Sequence, residues 1–114
     1  MNKREVGTFY EQMASEYLNR QGIRIIERNF RCRIGEIDLI GLDKDDTLVF
    51  FEVKYRKSNS YQNPLEAVNY NKQRKIIKTA QYYLMIHDSD KACRFDVVGI
   101  TGESIEWIKN AFYA

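Results

Sequence analysis

Two runs of this chain are apolar enough to be β-strands covered on both faces, yet both carry charge inside them: Gly35-Glu-Ile-Asp-Leu-Ile-Gly41 and Leu48-Val-Phe-Phe-Glu-Val-Lys-Tyr-Arg56. An ionised group in such a strand is costly unless it is paired or holds a cation. Strand side chains alternate with period two, so Glu52 and Lys54 share one face, and Glu36 and Asp38 share one face of the other strand. Paired as neighbours in register, the two strands bring Asp38, Glu52 and Lys54 together. Two carboxylates and an ammonium in a small pocket fit a Mg²⁺ hydrolase site. The acids anchor a hydrated cation beside a phosphate, and the lysine orients water or neutralises developing charge. Val53, between them, points to the core on the other face and offers its carbonyl as a further oxygen ligand. The same residues fit a structural ion pair, Glu52 with Lys54, at a strand end, and the pattern alone weighs equally on both.

The rest of the chain gives these strands a setting. Its 114 residues suffice for one domain, 1–114, with a single core. Residues 3–21 read as a helix, with Val6, Phe9, Tyr10, Met13, Ala14, Tyr17 and Leu18 as its apolar stripe and Gly22 ending it. Strands are expected over 23–33, 34–42 and 47–56, with 43–46 as a polar connection. A polar loop over 57–63 then leads to a second helix, opening at Pro64 under an Asn63 cap and running to about His87. Two more strands, 91–100 and 104–109, flank Thr101-Gly102. The order α-β-β-β-α-β-β with doubly covered strands predicts an α/β fold, a mixed central sheet flanked by helices.

Composition excludes more than it assigns. Cys32 and Cys93 stand alone and His87 is the single histidine, which argues against a zinc site. No apolar run approaches a membrane span and the N-terminus carries no signal core, so a cytoplasmic protein with reduced thiols is expected. Net charge is only +2, but Lys54, Arg56, Lys57, Lys72, Arg74, Lys75 and Lys78 make a local basic zone. Such a zone attracts phosphate or is a solvated helix face.

Three polar positions bear on the pocket. Glu11 lies at the edge of the first helix's stripe, with Gly7 and Ala14 leaving space around it. It either approaches the pocket as a further metal ligand or stays at the water boundary. Lys72 and Gln73 lie on the buried face of the second helix, one turn before Ile76 and Ile77. They either overhang a polar cleft and touch phosphate, or snorkel past the sheet edge. Glu36 is read as support for Asp38 or as a salt-bridge partner, the first preferred. Arg94 and Asp96 read as a structural pair, His87 as a surface residue, the tyrosines mainly as packing, and Asn110-Ala-Phe112 as a plug for an apolar groove.

Gly7-x-x-x-Glu11-x-x-Ala14, Asn29-Phe30-Arg31, Gly35-Glu-Ile-Asp-Leu-Ile40, Val49-Phe-Phe-Glu-Val-Lys54 with Arg56, Ala67-Val68, Lys72, Arg94-Phe-Asp-Val97 and Asn110-Ala-Phe112 together resemble the YraN-type family of small bacterial proteins. That family is similar to the restriction-endonuclease-like superfamily with its P-D…(D/E)-x-K signature, whose core archaeal Holliday junction resolvases share. The resemblance implies a metal-dependent nuclease fold. It maps the signature aspartate onto Asp38, the acidic residue onto Glu52, the lysine onto Lys54 and the helix glutamate of the resolvase-like branch onto Glu11. Ile37 stands where the signature has proline, a position without a ligand role.

The resulting expectation is a Mg²⁺- or Mn²⁺-dependent endonuclease hydrolysing DNA, on branched or otherwise structured substrate. Asp38, Glu52 and Glu11 bind metal, Lys54 positions water, and Arg56, Lys72, Gln73 and Lys75 hold the phosphate backbone. A homodimer would suit a symmetric junction. The competing expectation is a nucleic-acid-binding protein that keeps the fold without turnover. A third is a metal phosphohydrolase acting on a small nucleotide.

Overall fold

A computed structural model describes residues 1–56 and 68–114. The first helix, α1, spans Lys3–Arg20. It starts where the Asn2 side chain accepts the Glu5 N–H at 2.9 Å, and it stops where Gly22 takes φ +99°. Strand β1 (Arg24–Arg31) turns into β2 (Glu36–Leu42), and β3 (Leu48–Arg56) follows across a short polar turn. In that turn the Asp43 N–H donates to the Thr47 carbonyl at 2.9 Å. Helix α2 (Tyr70–Ile86), β4 (Cys93–Thr101) and β5 (Ser104–Phe112) complete the chain.

The five strands form one sheet in sequence order, β1-β2-β3-β4-β5. Only β3 and β4 run parallel, joined by the crossover that contains α2; the other pairs are antiparallel. This is the expected mixed sheet and element order. Each helix seals one face. Ala14 and Leu18 of α1 pack on Leu39, Val49, Phe51, Val98 and Ile100. Ile76, Ile77, Ala80 and Tyr83 of α2 pack on Ile40, Phe50, Phe95 and Val97. Burying Ile76 and Ile77 contributes roughly 2 kcal/mol each. Gly35, in the β1–β2 turn, permits close contact with α2, because a Cβ there would lie 3.1 Å from the Thr79 hydroxyl.

Three boundaries differ from the sequence reading. Phe9 is 47% exposed and stands outside the buried stripe, since it packs edge-on against Tyr10 rather than on the sheet. Helix α2 begins at Tyr70 under an Asn69 cap, whose side chain accepts the Lys72 N–H at 2.9 Å. Val68 and Asn69 are not helical, so the helix expected to run unbroken from Asn63-Pro64 does not; residues 57–67 themselves lie outside the described residues. Strand β5 runs past 109 to Phe112, because Phe112 is buried against Phe95 in the α2-side cluster, as a plug.

Asp96, on β4 opposite Phe51, is fully buried and ties β4 to β5. Its carboxylate accepts from Arg94 Nε at 3.0 Å, Trp107 Nε1 at 2.9 Å and the Asn110 backbone N–H at 3.0 Å. Arg94 also reaches Asp43 at 3.0 Å, so this is the structural pair expected, with a second acid added. Cys32 and Cys93 are free thiols. Among the described residues, no helix is long and apolar enough to cross a membrane.

Candidate active site

The site forms where the sheet forks. Strands β2 and β3 pair from Leu42↔Leu48 to Leu39↔Phe51, and there the ladder stops. The next pair in register is Asp38 with Glu52. Beyond it β2 stays with β1 as far as Glu36↔Arg31, while β3 stays with β4 as far as Arg56↔Thr101. The fork would orphan the Val53 N–H, a costly loss for a buried backbone donor. Asp38 replaces the missing strand: its Oδ2 accepts that N–H at 2.8 Å.

Alternation along β2 also breaks at this point. Leu39 belongs to the α1-side cluster and Ile37 to the α2-side cluster, although they lie two apart. The partner strand shows the same reversal. Arg28 reaches the Ser15 hydroxyl of α1 at 2.9 Å, whereas Phe30 packs on the α2 side. Between them Asn29 takes φ +52°, the left-handed region that Asn tolerates better than most residues. Asp38 therefore sits at a local twist. Glu36 is exposed and pairs with Arg31 at 3.1 Å, so of its two readings the salt-bridge partner is the one seen, and its carboxylate is engaged away from Asp38.

On β3 the pattern is regular. Leu48 and Phe50 face α2, and Glu52 and Lys54 follow on that face. Glu52 is buried, and its Oε1 lies 3.4 Å from Lys54 Nζ and 2.9 Å from Lys72 Nζ, which reaches down from the first turn of α2. The two ammoniums thus share one carboxylate oxygen. Burial, with the neighbouring Lys72 next, holds the Lys54 ammonium below the usual lysine range against the pull of Glu52. Burial opposes charge on Lys72 too, but Lys54, which accepts from it when neutral, and the nearby Glu52 and Asp38 prevail and raise it.

Asp38 is only 9% exposed. Burial, and then repulsion from Glu52, pushes its carboxyl up to about 8; the Val53 N–H and Lys72 offset this only in part. Glu11 contributes from the other side of the fork. It is half-buried on α1, and burial raises its carboxyl, helped by the fields of Glu36 and Glu52. The Asn29 side chain hydrogen-bonds Glu11 and pulls the other way.

The structure thus gathers Asp38, Glu52, Lys54 and Lys72 directly, with Glu11 close enough to feel their charge. Among the described residues no three or more His, Cys, Asp and Glu side chains converge into a ready cation cage. Arg56 continues the same strand two residues beyond Lys54 and is half-buried. Gln73 spends its amide on the Val68 carbonyl at 2.9 Å, and Lys75 is exposed farther along α2. Sequence reasoning assigned no role to Asn29 or to the Val53 N–H. A polar residue flanked by strand-forming apolar positions was the available signal for Asn29. Nothing local signalled the Val53 bond, which depends on the fork.

Residues 10–100 match the model of UPF0102, described as an uncharacterised protein family. The chain belongs to this family. A UPF0102 protein of Psychromonas ingrahamii is 48% identical over 108 residues, covering 93% of this chain and 88% of that one. One from Lachnoclostridium phytofermentans is 47% identical over 116 residues, covering 100% and 98%. Among solved structures, this UPF0102 chain is similar to a repair endonuclease from Pyrococcus abyssi. The TM-score is 0.51 at 21% identity, over 90% of this chain. The match spans 41% of that larger chain, so the likeness concerns the fold alone. This chain accordingly shares the fold of the matched part of that endonuclease.

Proposed function

We propose that the protein is a divalent-metal-dependent endonuclease that hydrolyses DNA phosphodiester bonds, on branched or otherwise structured substrate. One observation carries this reading: two acids, Asp38 and Glu52, are buried together at a sheet fork, where burial and the neighbouring Glu52 charge push Asp38 up to about 8. A pair that merely fastened the sheet would be better served by a neutral hydrogen-bonding residue at 38. Carboxylate oxygens with the nearby Val53 carbonyl are the hard donors that Mg²⁺ and Mn²⁺ take, with water filling the remaining positions. Asp38 and Glu52 would hold the ion, and Glu11, set back on α1, would contribute through water.

A bound divalent ion supplies charge neutralisation for the phosphoryl oxygens and a more acidic water. The protein's own groups do the rest. Lys54, with its ammonium below the ordinary range, orients the attacking water and exchanges a proton more readily than a free lysine. Lys72 neutralises Glu52 in the resting site and turns its charge toward phosphate when DNA is bound. Arg56, Gln73 and Lys75 extend phosphate contact along β3 and α2. A homodimer presenting two such sites suits a symmetric four-way junction, and DNA as substrate fits a cytoplasmic protein.

A second reading, a DNA-binding protein without turnover, draws on the absence of a three-residue cage among the described residues and on the pairing of Glu52 with two lysines. Labelled duplex, single-stranded, flap and four-way-junction DNA incubated with Mg²⁺ or Mn²⁺ separates the two. Metal-dependent cleavage by wild type, lost in Glu52→Ala and Lys54→Ala, is the expected result. Binding without cleavage of any of the four supports the second reading. Equal cleavage by all three proteins defeats the assignment.

A further inference from the structure

A cavity of about 440 Å³ opens on the α1 side of the fork. Lys3, Arg4, Gly7 and Glu11 of α1 form one wall, and Arg31 and Glu36 stand on the strand side. The volume lies in the range of clefts that take small ligands, roughly 300–1,000 Å³. Arg31 is already paired with Glu36, but Lys3 and Arg4 have no ion-pair partner among the described residues.

Gly7 is the telling residue. It lies inside α1, where glycine is the least favourable choice short of proline. A helix glycine usually earns its place by letting another element come close. Here a Cβ added to Gly7 would meet nothing within 4 Å, so packing gives no reason for it. It precedes Glu11 by one helical turn, on the same face. The missing side chain leaves open the space between the two unpaired cations and Glu11.

We propose that this cavity holds the sugar-phosphate backbone of the DNA strand next to the scissile phosphate, with Lys3 and Arg4 on phosphate oxygens and Gly7 keeping the path clear. The inference rests on the endonuclease reading and names where that substrate's flanking nucleotides lie. Phosphate contacts of this kind set position and strength rather than sequence preference. The strand then passes from the α1 face into the fork at Asp38 and Glu52.

The test uses the full chain with a labelled four-way junction and a labelled single strand, in EDTA so that nothing is cut. Gly7→Leu fills the cavity, and Lys3→Ala/Arg4→Ala removes its cations while leaving the core alone. Gly7→Leu is expected to raise the Tm by roughly 4 °C, from the helix preference alone. It should weaken DNA binding about tenfold or more and, in a separate melt without EDTA or DNA, leave the Mn²⁺-induced rise in Tm unchanged. The double variant should lower the slope of log K against log salt by about 1–2 in magnitude, one to two phosphate contacts. Wild-type DNA affinity in both variants overturns the cavity proposal and leaves the endonuclease reading standing. No DNA binding by wild type, at low salt and on either probe, overturns both.

Discussion

Replacing Asp38 by Asn isolates the electrostatic cost of the site. The amide oxygen can still accept the Val53 N–H, now accepted by Asp38 Oδ2 at 2.8 Å, so the fork keeps its hydrogen bond and loses a charge. The carboxyl titrates at an ordinary 3.8 when free in the unfolded chain and at about 8 when folded. Between these values the folded state binds more protons than the unfolded one. The stability it contributes is therefore greatest below about pH 4, falls as pH rises through the window, and levels off above about 8. The slope is about 1.4 kcal/mol per pH unit, which makes about 3 kcal/mol between pH 5 and pH 7. That is a large share of the 5–15 kcal/mol typical of a small domain. Urea unfolding in EDTA at pH 5, 6, 7 and 8 measures it. The stability of wild type minus that of Asp38→Asn should fall by about 3 kcal/mol from pH 5 to pH 7, the subtraction cancelling the groups that do not interact with Asp38. Mn²⁺ at pH 8 should then stabilise wild type, by about 2.7 kcal/mol at a hundredfold excess over Kd, and leave the variant unmoved. A difference that stays flat or rises with pH would refute the argument that Asp38 is buried as an uncompensated acid.

Other predictions test the supporting parts. Lys72→Met removes the neighbour that helps depress Lys54, so the Lys54 ammonium should move back toward the ordinary lysine range in an Nζ-detected NMR titration; an unchanged value would show that burial alone holds it down. Asn29→Gly keeps the φ of +52° without strain but takes the hydrogen bond from Glu11. Stability should change by less than about 1 kcal/mol while the Glu11 carboxyl titrates higher, and Asn29→Val should instead cost about 1–3 kcal/mol in strain. Asp96→Asn breaks the buried charge with Arg94, Trp107 and Asn110 around it. It should lower urea stability by about 3 kcal/mol, with the Mn²⁺ response intact because its carboxylate contacts Arg94, Trp107 and Asn110 and none of the fork's charged groups.

The elements most legible in the sequence are those fixed by period and composition. The run from Leu48 to Phe51, apolar without alternation, announces a strand covered on both faces, and the structure places it between two other strands and two helices. Glu52 and Lys54 fall on one face because β3 is regular there. What periodicity misses is where a ladder ends. Counting by two puts Glu36 and Asp38 side by side, but the twist at Asn29 and Asp38 turns Ile37 to the opposite face from Leu39. The Val53 bond and the Lys72 contact to Glu52 are long-range events with no local signature. Lys72 could be suspected only as a cation on the buried side of its helix. Asp43 joins Arg94 across half the chain, again outside the reach of local pattern. Phe9 fits the helical stripe by spacing and misses it by a small rotation, an error that hydropathy alone cannot detect.

The proposed function requires the acids of the fork to hold a divalent ion. Crystals soaked in Mn²⁺ near pH 8 and measured at the manganese absorption edge show where the ion sits. One anomalous peak is expected at the fork, about 2.1–2.2 Å from carboxylate oxygens of both Asp38 and Glu52, with Lys72 withdrawn from its 2.9 Å contact to Glu52. A fork with no peak, Glu52 still clasped by both lysines and manganese bound only elsewhere would contradict it.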